Sequence, residues 1–158
     1  MKLNPYLLFN GQCEEAFKFY ARVLGGKIEA MMTHGETPAA KHAPPEWQKK
    51  VLHAALRVDD ELLMGSDPAP GYYEQPRGFN VALDISNREK AERVFRELSE
   101  GGQVKMPFQQ TFWADGFGMF VDRFGIPWLV NCVTTHSGGS SSDAGSKARR
   151  EEVHANGD

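Results

Sequence analysis

The spacing of hydrophobic residues predicts one helix and four strands in the first half of the chain. The helix has apolar side chains at intervals of four, three and four residues: Cys13, Phe17, Tyr20 and Leu24. This spacing places them on one helix face, and the glycine pair at 25–26 ends the helix. Short apolar runs predict strands at 3–9, 27–33, 51–58 and 61–65. A segment that contains three prolines, 34–49, is predicted to form a loop.

The second half of the chain repeats this order of elements. A strand is predicted at 79–85, and Ser86 followed three residues later by Glu89 is a capping-box pattern, typical of the start of a helix. Four apolar residues define the face of that helix: Ala91, Val94, Phe95 and Leu98. Three more strands are predicted at 103–108, 118–122 and 128–133. The sequence therefore predicts an α+β fold of two βαβββ modules, at about 1–67 and 78–133.

The composition changes abruptly after Val133. Eight of the ten residues at 137–146 are Ser or Gly, and Val153 is the only large apolar residue from 134 to 158. Such a segment cannot bury enough apolar surface to offset the entropy lost on ordering. We therefore expect a folded domain at 1–133 and a disordered, Ser/Gly-rich tail at 134–158.

Charge and cysteine content exclude several classes of protein. The 158 residues include 18 Lys and Arg against 21 Asp and Glu, a net charge of −3. A mildly acidic chain lacks the positive charge that nucleic-acid backbones require, and no apolar run approaches the roughly 20 residues that span a bilayer. Two cysteines, Cys13 and Cys132, are too few for a disulfide framework. We expect a cytoplasmic protein without nucleic-acid or membrane partners.

Three stretches resemble a known superfamily. The first is Asn-Pro-Tyr-Leu at 4–7, with Asn-Gly at 10–11 and Ala-Phe-Lys-Phe-Tyr at 16–20. The others are Gln-Thr-Phe-Trp-Ala-Asp-Gly-Phe-Gly at 110–118 and Asp-Arg-Phe-Gly-Ile-Pro-Trp at 122–128. In these stretches the chain resembles the glyoxalase/bleomycin-resistance/dioxygenase, or vicinal oxygen chelate (VOC), superfamily, and more narrowly its PhnB-like branch. The resemblance implies two modules whose sheets form a cup, a pocket for a small organic molecule in that cup, and a homodimer.

The resemblance also identifies where metal ligands would lie. Metalloenzymes of the superfamily place His and Glu at four strand positions, which correspond here to Pro5, Met64, Asn80 and Leu129. Proline and leucine have no donor atom, methionine sulfur is a soft ligand, and only Asn80 offers an oxygen. We expect no metal at this position and no other cofactor.

Other residues offer limited alternatives for a metal site. His34 and Glu36 are two residues apart, so a strand would direct both to one face. Two ligands leave a zinc ion short of its usual three or four protein ligands. The competing interpretation is that both are polar residues at the edge of a loop.

His53 is the first candidate for catalysis. It lies in a predicted central strand. Because side chains alternate between the two faces of a strand, Val51, Ala55 and Arg57 are predicted to share the face of His53. A histidine inside the cup can orient a substrate or transfer a proton near neutral pH. The alternative is a histidine that forms hydrogen bonds in the core or in a dimer interface.

The segment 113–118 supplies the second candidate. Trp113 can stack on a flat ligand, and the Asp115 carboxylate can accept hydrogen bonds. The alternative is a turn in which Asp115 caps backbone amides while Trp113 packs on the sheet. The glycines at 116 and 118 precede a strand, so they do not predict a dinucleotide loop, and no motif for S-adenosylmethionine is found.

Two functions follow from the sequence. The first is a PhnB-like small-molecule-binding protein that lacks the usual metal site. The alternative is an enzyme, a lyase, isomerase or antibiotic-resistance protein, that uses His53 and Asp115, with or without a non-standard metal site. In both cases the predicted ligand contacts are Met64, Asn80, Trp113, Phe117 and Leu129. A purely structural dimer, with the cup filled by side chains, is a third interpretation.

Overall fold

A computed structural model describes residues 1–133, and the predicted tail at 134–158 lies outside the described residues. The predicted order of elements is confirmed. The first module contains β1 (Tyr6–Leu8), α1 (Cys13–Leu24), β2 (Lys27–Thr33), β3 (Val51–Val58) and β4 (Glu61–Ser66). The second contains β5 (Val81–Asp84), α2 (Arg88–Ser99), β6 (Gln103–Gln109), β7 (Gly116–Val121) and β8 (Pro127–Cys132).

Each module forms one four-stranded sheet. The strand order is β1-β4-β3-β2 in the first sheet and β5-β8-β7-β6 in the second. In both sheets the first strand pairs parallel to the last, and the other pairs are antiparallel. The α+β fold of two βαβββ modules is therefore confirmed, and β3 is an inner strand as predicted.

The helix α1 packs on one face of the first sheet because its apolar stripe faces the strands. Phe17 is fully buried beside Gly65 of β4, where an added Cβ would lie 2.7 Å from the phenylalanine ring. Glycine is therefore required for this close approach. At the other end, Gly25 adopts a left-handed conformation and its N–H bonds to the carbonyl of Ala21, which ends the helix as predicted.

A buried carboxylate connects the two modules. Asp122, in the turn between β7 and β8, is 3% exposed. Its Oδ1 accepts hydrogen bonds from the N–H groups of Phe124 and Ile126, which forms a tight turn. Its Oδ2 accepts hydrogen bonds from the Tyr20 hydroxyl of α1 at 2.5 Å and from the Trp128 indole at 2.8 Å. The two modules consequently share one core.

Several element boundaries differ from the prediction. The first strand begins at Tyr6 rather than at residue 3, after Pro5, which has no N–H to donate to a ladder. The fifth strand covers only Val81–Asp84. The capping box of Ser86 and Glu89 does not form, since Asn87 is the N-cap and its side chain accepts from the N–H of Lys90.

The predicted loop at 34–49 contains three short 3-10 turns: His34–Glu36, Pro38–Lys41 and Pro45–Trp47. Val51, which was predicted to share the face of His53, is instead a core residue with 1% exposure. Among residues 1–133, no helix is long and apolar enough to cross a membrane.

Candidate functional site

The first sheet has one face that α1 does not cover. Strand register aligns Tyr6 with Met64 and Met64 with Ala55 across three strands, and aligns His53 with Met32 on the neighbouring edge. We call this surface the open face of the first sheet. Tyr6 and Met32 are about half exposed there, at 46% and 44%. The open face is therefore largely apolar and accessible in the single chain.

Tyr6 and His53 form a polar pair on this face. The Tyr6 hydroxyl lies 3.3 Å from Nδ1 of His53, and the rings are stacked with centroids 5.9 Å apart. When the phenol donates to Nδ1, the neutral imidazole carries its proton on Nε2. That N–H is then available to a ligand. Tyr6 is thus a candidate site residue that the sequence reasoning missed.

The second sheet has a corresponding open face. Register aligns Ala82, Leu129 and Met119 in one row, and Asp84, Asn131 and Phe117 in the next. The amide nitrogen of Asn131 donates to the Asp84 carboxylate at 2.8 Å. Of the predicted contacts, Phe117 and Leu129 belong to this surface.

An aromatic group lies at the edge of this second face. The Trp113 ring contacts Phe117 edge-on at 5.4 Å, and Phe112 contacts Trp113 at 4.6 Å. Trp113 is 49% exposed and Phe112 is 96% exposed. Trp113 therefore packs partly on the sheet, which was the alternative to ligand stacking in the sequence analysis. It still presents an aromatic surface to solvent.

Asp115 follows in the same loop and is half-buried. Its backbone carbonyl accepts a hydrogen bond from the guanidinium of Arg88, at the start of α2. The hydroxyl of Thr111 accepts the N–H of Ala114, so Thr111 closes the preceding turn. His53, the other proposed catalytic residue, lies in the first sheet, whereas Asp115 lies in the loop that precedes β7 of the second sheet.

The predicted contacts are therefore distributed over three surfaces. Met64 joins His53 on the first open face, while Trp113, Phe117 and Leu129 belong to the second. Asn80 precedes β5 and lines a cleft between the modules. Within residues 1–133, no hydrogen bond or ring contact joins Tyr6, His53 or Met64 to Trp113 or Phe117.

The cleft that contains Asn80 has a volume of about 710 Å³. One wall is the β3–β4 hairpin and the end of α1, and the other is β5 with the start of α2. Pro5, the first position that the resemblance assigned to a metal ligand, also lines this cleft. Register shows that Tyr6, not Pro5, is aligned with Met64.

The donor set does not fit the metal site that the superfamily implies. If Tyr6 rather than Pro5 occupied the first ligand position, the four side chains would offer a phenol, a thioether, a carboxamide and an alkyl chain. These groups are poor ligands for a hard divalent ion. Among the described residues, no three His, Cys, Asp or Glu side chains are grouped to hold a metal.

His34 and Glu36 also have separate partners. The Nε2 of His34, a buried residue, donates to the backbone carbonyl of Asp67 at 2.8 Å. The Glu36 carboxylate accepts from the N–H and hydroxyl of Thr33, both at 2.8 Å. These hydrogen bonds lower the pKa of Glu36. The prediction of polar residues at a loop edge fits Glu36, whereas His34 is buried.

A second buried carboxylate organises the start of α1. Asp67 is 1% exposed and accepts backbone hydrogen bonds from Cys13 and Val51, each at 3.1 Å, and from Gly11. Burial raises the pKa of Asp67, against the effect of these amides. Burial also raises the pKa of the Cys13 thiol, and the charge of Asp67 adds to that rise. Cys13 is accordingly a core residue rather than a nucleophile.

Comparison with known proteins identifies the family. A family model described as 3-demethylubiquinone-9 3-methyltransferase matches residues 1–131. The chain belongs to this family. Protein PA1353 from Pseudomonas aeruginosa, a solved structure, is 47% identical, with 85% of this chain and 98% of that chain covered and a TM-score of 0.79. Protein YjdN from Escherichia coli is 36% identical over 84% of this chain and 96% of its own length.

More distant structures share the fold of the family. A putative 3-demethylubiquinone-9 3-methyltransferase, PhnB protein, from Bacillus cereus is 20% identical, with 84% and 100% of the two chains covered and a TM-score of 0.71. A glyoxalase/bleomycin resistance protein/dioxygenase from Nocardioides is 18% identical, with 92% and 91% covered and a TM-score of 0.51. The predicted resemblance to the VOC superfamily and to its PhnB-like branch is confirmed.

Proposed function

We propose that this PhnB-like protein binds a small organic molecule on the open face of the first sheet, at Tyr6 and His53. The observation that carries this proposal is the hydrogen-bonded, stacked pair of these two rings beside apolar side chains of the same face. Ligand sites combine apolar walls with a few placed polar groups. Met32 and Met64 supply adaptable apolar contacts beside the pair, and the imidazole supplies a directed hydrogen bond.

Stabilisation by the ligand tests this site. Compounds that have an apolar body and one hydrogen-bond acceptor should raise the melting temperature. At 100 times the dissociation constant, a ligand adds about 2.7 kcal/mol, or roughly 5–10 °C for a domain of this size. We expect Tyr6→Phe and His53→Gln each to reduce affinity for the best compound about ten-fold, because each removes one directed hydrogen bond.

His42→Gln is the matched control, since His42 is exposed, directly follows the 3-10 segment Pro38–Lys41 and forms no side-chain hydrogen bond with Tyr6 or His53 among the described residues. It should leave affinity unchanged. Equal binding by all three variants and the original protein would place the ligand site elsewhere.

We also propose a homodimer that uses both open faces. Tyr6 and Met32 on one sheet, and Trp113 and Phe112 at the edge of the other, are unusually exposed for large apolar residues. A second copy placed over them would bring Trp113, Phe117 and Leu129 close to the Tyr6–His53 pair. The predicted contacts would then form one pocket from two chains.

Light scattering tests the dimer. At tens of micromolar, the protein should have twice the mass of one chain, and Met32→Lys should convert it to a monomer by burying a charge in the interface. Tyr72→Lys is the control, because Tyr72 is 77% exposed in the segment between the modules. A monomer before any substitution would contradict this proposal.

An enzymatic role is the second candidate function, and the Tyr6–His53 hydrogen bond favours it. The Tyr6 oxygen can take a proton from a bound ligand while its own proton passes to Nδ1 of His53, and the reverse transfer returns a proton at another position of the ligand, as a lyase or isomerase requires. Asp115 would join the site only in the dimer. Mass spectrometry of the ligand after incubation distinguishes an altered product from retained, unchanged ligand.

Methyl transfer, which the description of the family suggests, does not fit the start of α1. A strand-to-helix turn binds an anionic group of a cofactor only through free backbone amides. Here the amides of Gly11 and Cys13 donate to the Asp67 carboxylate. A Cβ on Gly11 would lie 3.3 Å from the Lys50 side chain, which covers the turn. The proposed function therefore includes no methyl transfer.

We further expect that the purified protein holds no stoichiometric divalent metal at the superfamily position. The available phenol, thioether, carboxamide and alkyl groups cannot supply three strong donors. Elemental analysis of protein without a His-tag measures this directly. Near-stoichiometric Zn, Ni, Fe or Mn, together with a lower melting temperature in EDTA, would contradict the expectation.

A further inference from the structure

We propose that the cleft between the modules is a second binding site, for a small amphipathic cation with an apolar body and one ammonium-like group. The site is separate from the open face of the first sheet, because neither Tyr6 nor His53 lines the cleft. Its volume of about 710 Å³ lies in the range of small-molecule sites, which occur preferentially between packed units.

The walls of the cleft are mainly apolar. The first module contributes Leu24, Leu62 and Leu63, and the second contributes Phe79, Val81 and Leu83. Phe79 is 47% exposed, so an entering molecule can reach its ring. A cation held over an aromatic face gains further attraction.

The charges around these walls favour a cation. Asp59 and Glu61 lie on the hairpin wall and Asp84 on the β5 wall, while Lys90 is the single lysine or arginine of residues 1–133 that lines the cleft. Among the described residues, none of the three carboxylates forms an ion pair. Arg57 lies near Glu61, but its guanidinium is bound to Glu29 at 3.1 Å. The cleft therefore has an excess of negative charge contributed by both modules.

The backbone of β5 adds polar groups to the same cleft. This strand pairs only with β8 in the part of the chain that the structure describes, so its other edge has unpaired N–H and C=O groups. An ammonium N–H can donate to such a carbonyl. Asp84 accepts a hydrogen bond from the Asn131 amide, which leaves its negative charge uncompensated. Together, the volume, the apolar walls, the carboxylates without ion pairs and the strand edge define a site for a cation with an apolar tail.

A matched series of probes tests the proposal. Octyltrimethylammonium, octyl sulfate and octanol have the same tail and differ in charge. They are titrated into the full-length, isotope-labelled protein, and amide chemical shifts locate the site and give dissociation constants. We expect shifts at 59–63 and 79–85, with the ammonium probe bound at least five-fold more tightly than the sulfate.

Two variants separate charge from apolar contact. Glu61→Gln and Asp84→Asn should each weaken ammonium binding about two- to five-fold and leave octanol binding unchanged. Glu92→Gln removes an exposed carboxylate of α2 outside the cleft and serves as the control. Increasing salt should weaken binding of the ammonium probe alone.

Three outcomes would overturn the proposal. The first is equal affinity for the ammonium and sulfate probes, which would show that binding in the cleft depends only on the apolar tail of the probe. The second is a set of shifts confined to other surfaces, including the open faces. The third is that none of the three probes binds and that the amides of β5 are protected from hydrogen exchange in the dimer. This result would show that a second copy of the chain occupies the cleft.

Discussion

Replacing Asp122 by alanine should lower the free energy of unfolding by about 3–5 kcal/mol, a large part of the 5–15 kcal/mol typical of a domain. The carboxylate accepts hydrogen bonds from two backbone amides, the Tyr20 hydroxyl and the Trp128 indole, all in the core. Alanine would leave these four donors without an acceptor in a space that excludes most water. A buried polar group without a partner costs about 1–3 kcal/mol, partly recovered by relaxation.

Graded variants test this explanation by urea denaturation. Tyr20→Phe removes one of the four hydrogen bonds and should cost about 1–2 kcal/mol. Asp84→Asn is the control, because Asp84 is an exposed carboxylate of the same sheet with one side-chain partner. We expect it to change stability by less than about 0.5 kcal/mol. A loss of similar size for Asp84→Asn and Asp122→Ala would refute the assignment.

The same interaction shows why the arrangement of the modules was not predictable. The sequence around Asp122 indicates a turn, because Asp followed by Gly at this spacing satisfies local amides. The partner Tyr20 lies 102 residues earlier on α1. Periodicity places Tyr20 on a buried helix face, but it contains no information on which distant carboxylate meets the hydroxyl.

Local patterns were sufficient for the elements themselves. The stripe of α1 and its glycine end are set by residues within one or two turns, so spacing predicts them. The start of α2 shows the limit, since Ser86 and Asn87 are adjacent and both are good N-caps. Choosing between them depends on where β5 ends, and that depends on pairing with β8.

The candidate site depends on strand register, which a sequence specifies weakly. A shift of one residue transfers a side chain to the opposite face of a sheet. Pro5 and Tyr6 are neighbours in the sequence, and only the strand register shows that Tyr6 is the residue level with Met64. The Tyr6–His53 contact spans 47 residues and two strand pairings, so no local signal identifies it.

Removal of the second buried carboxylate, that of Asp67, should also lower the stability of the domain strongly. Asp67→Ala should lower the free energy of unfolding by about 3 kcal/mol, since it leaves the amides of Gly11, Cys13 and Val51 without their acceptor. These amides belong to the start of α1 and the start of β3. The substitution should therefore increase hydrogen exchange at both places, whereas a general loss of stability would affect the whole domain.

The pH dependence of stability gives an independent test of Asp67, with a definite sign. Burial raises the pKa of this carboxyl in the folded state above its ordinary value near 3.8. The folded protein then binds the proton more tightly than the unfolded chain does, so stability from this group is greatest below that value and falls as pH rises through the folded pKa. The stability of the original protein relative to Asp67→Asn should accordingly be larger at pH 4 than at pH 7.

Denaturation of both proteins across this range measures the difference, and Asp60→Asn corrects for loss of one exposed negative charge. The opposite slope would mean that the three amides outweigh burial and hold the pKa below its ordinary value. In that case Asp67 would act as a charged cap of α1 at neutral pH. The helix would then depend on an ionised carboxylate, and acid would loosen the turn that Lys50 covers.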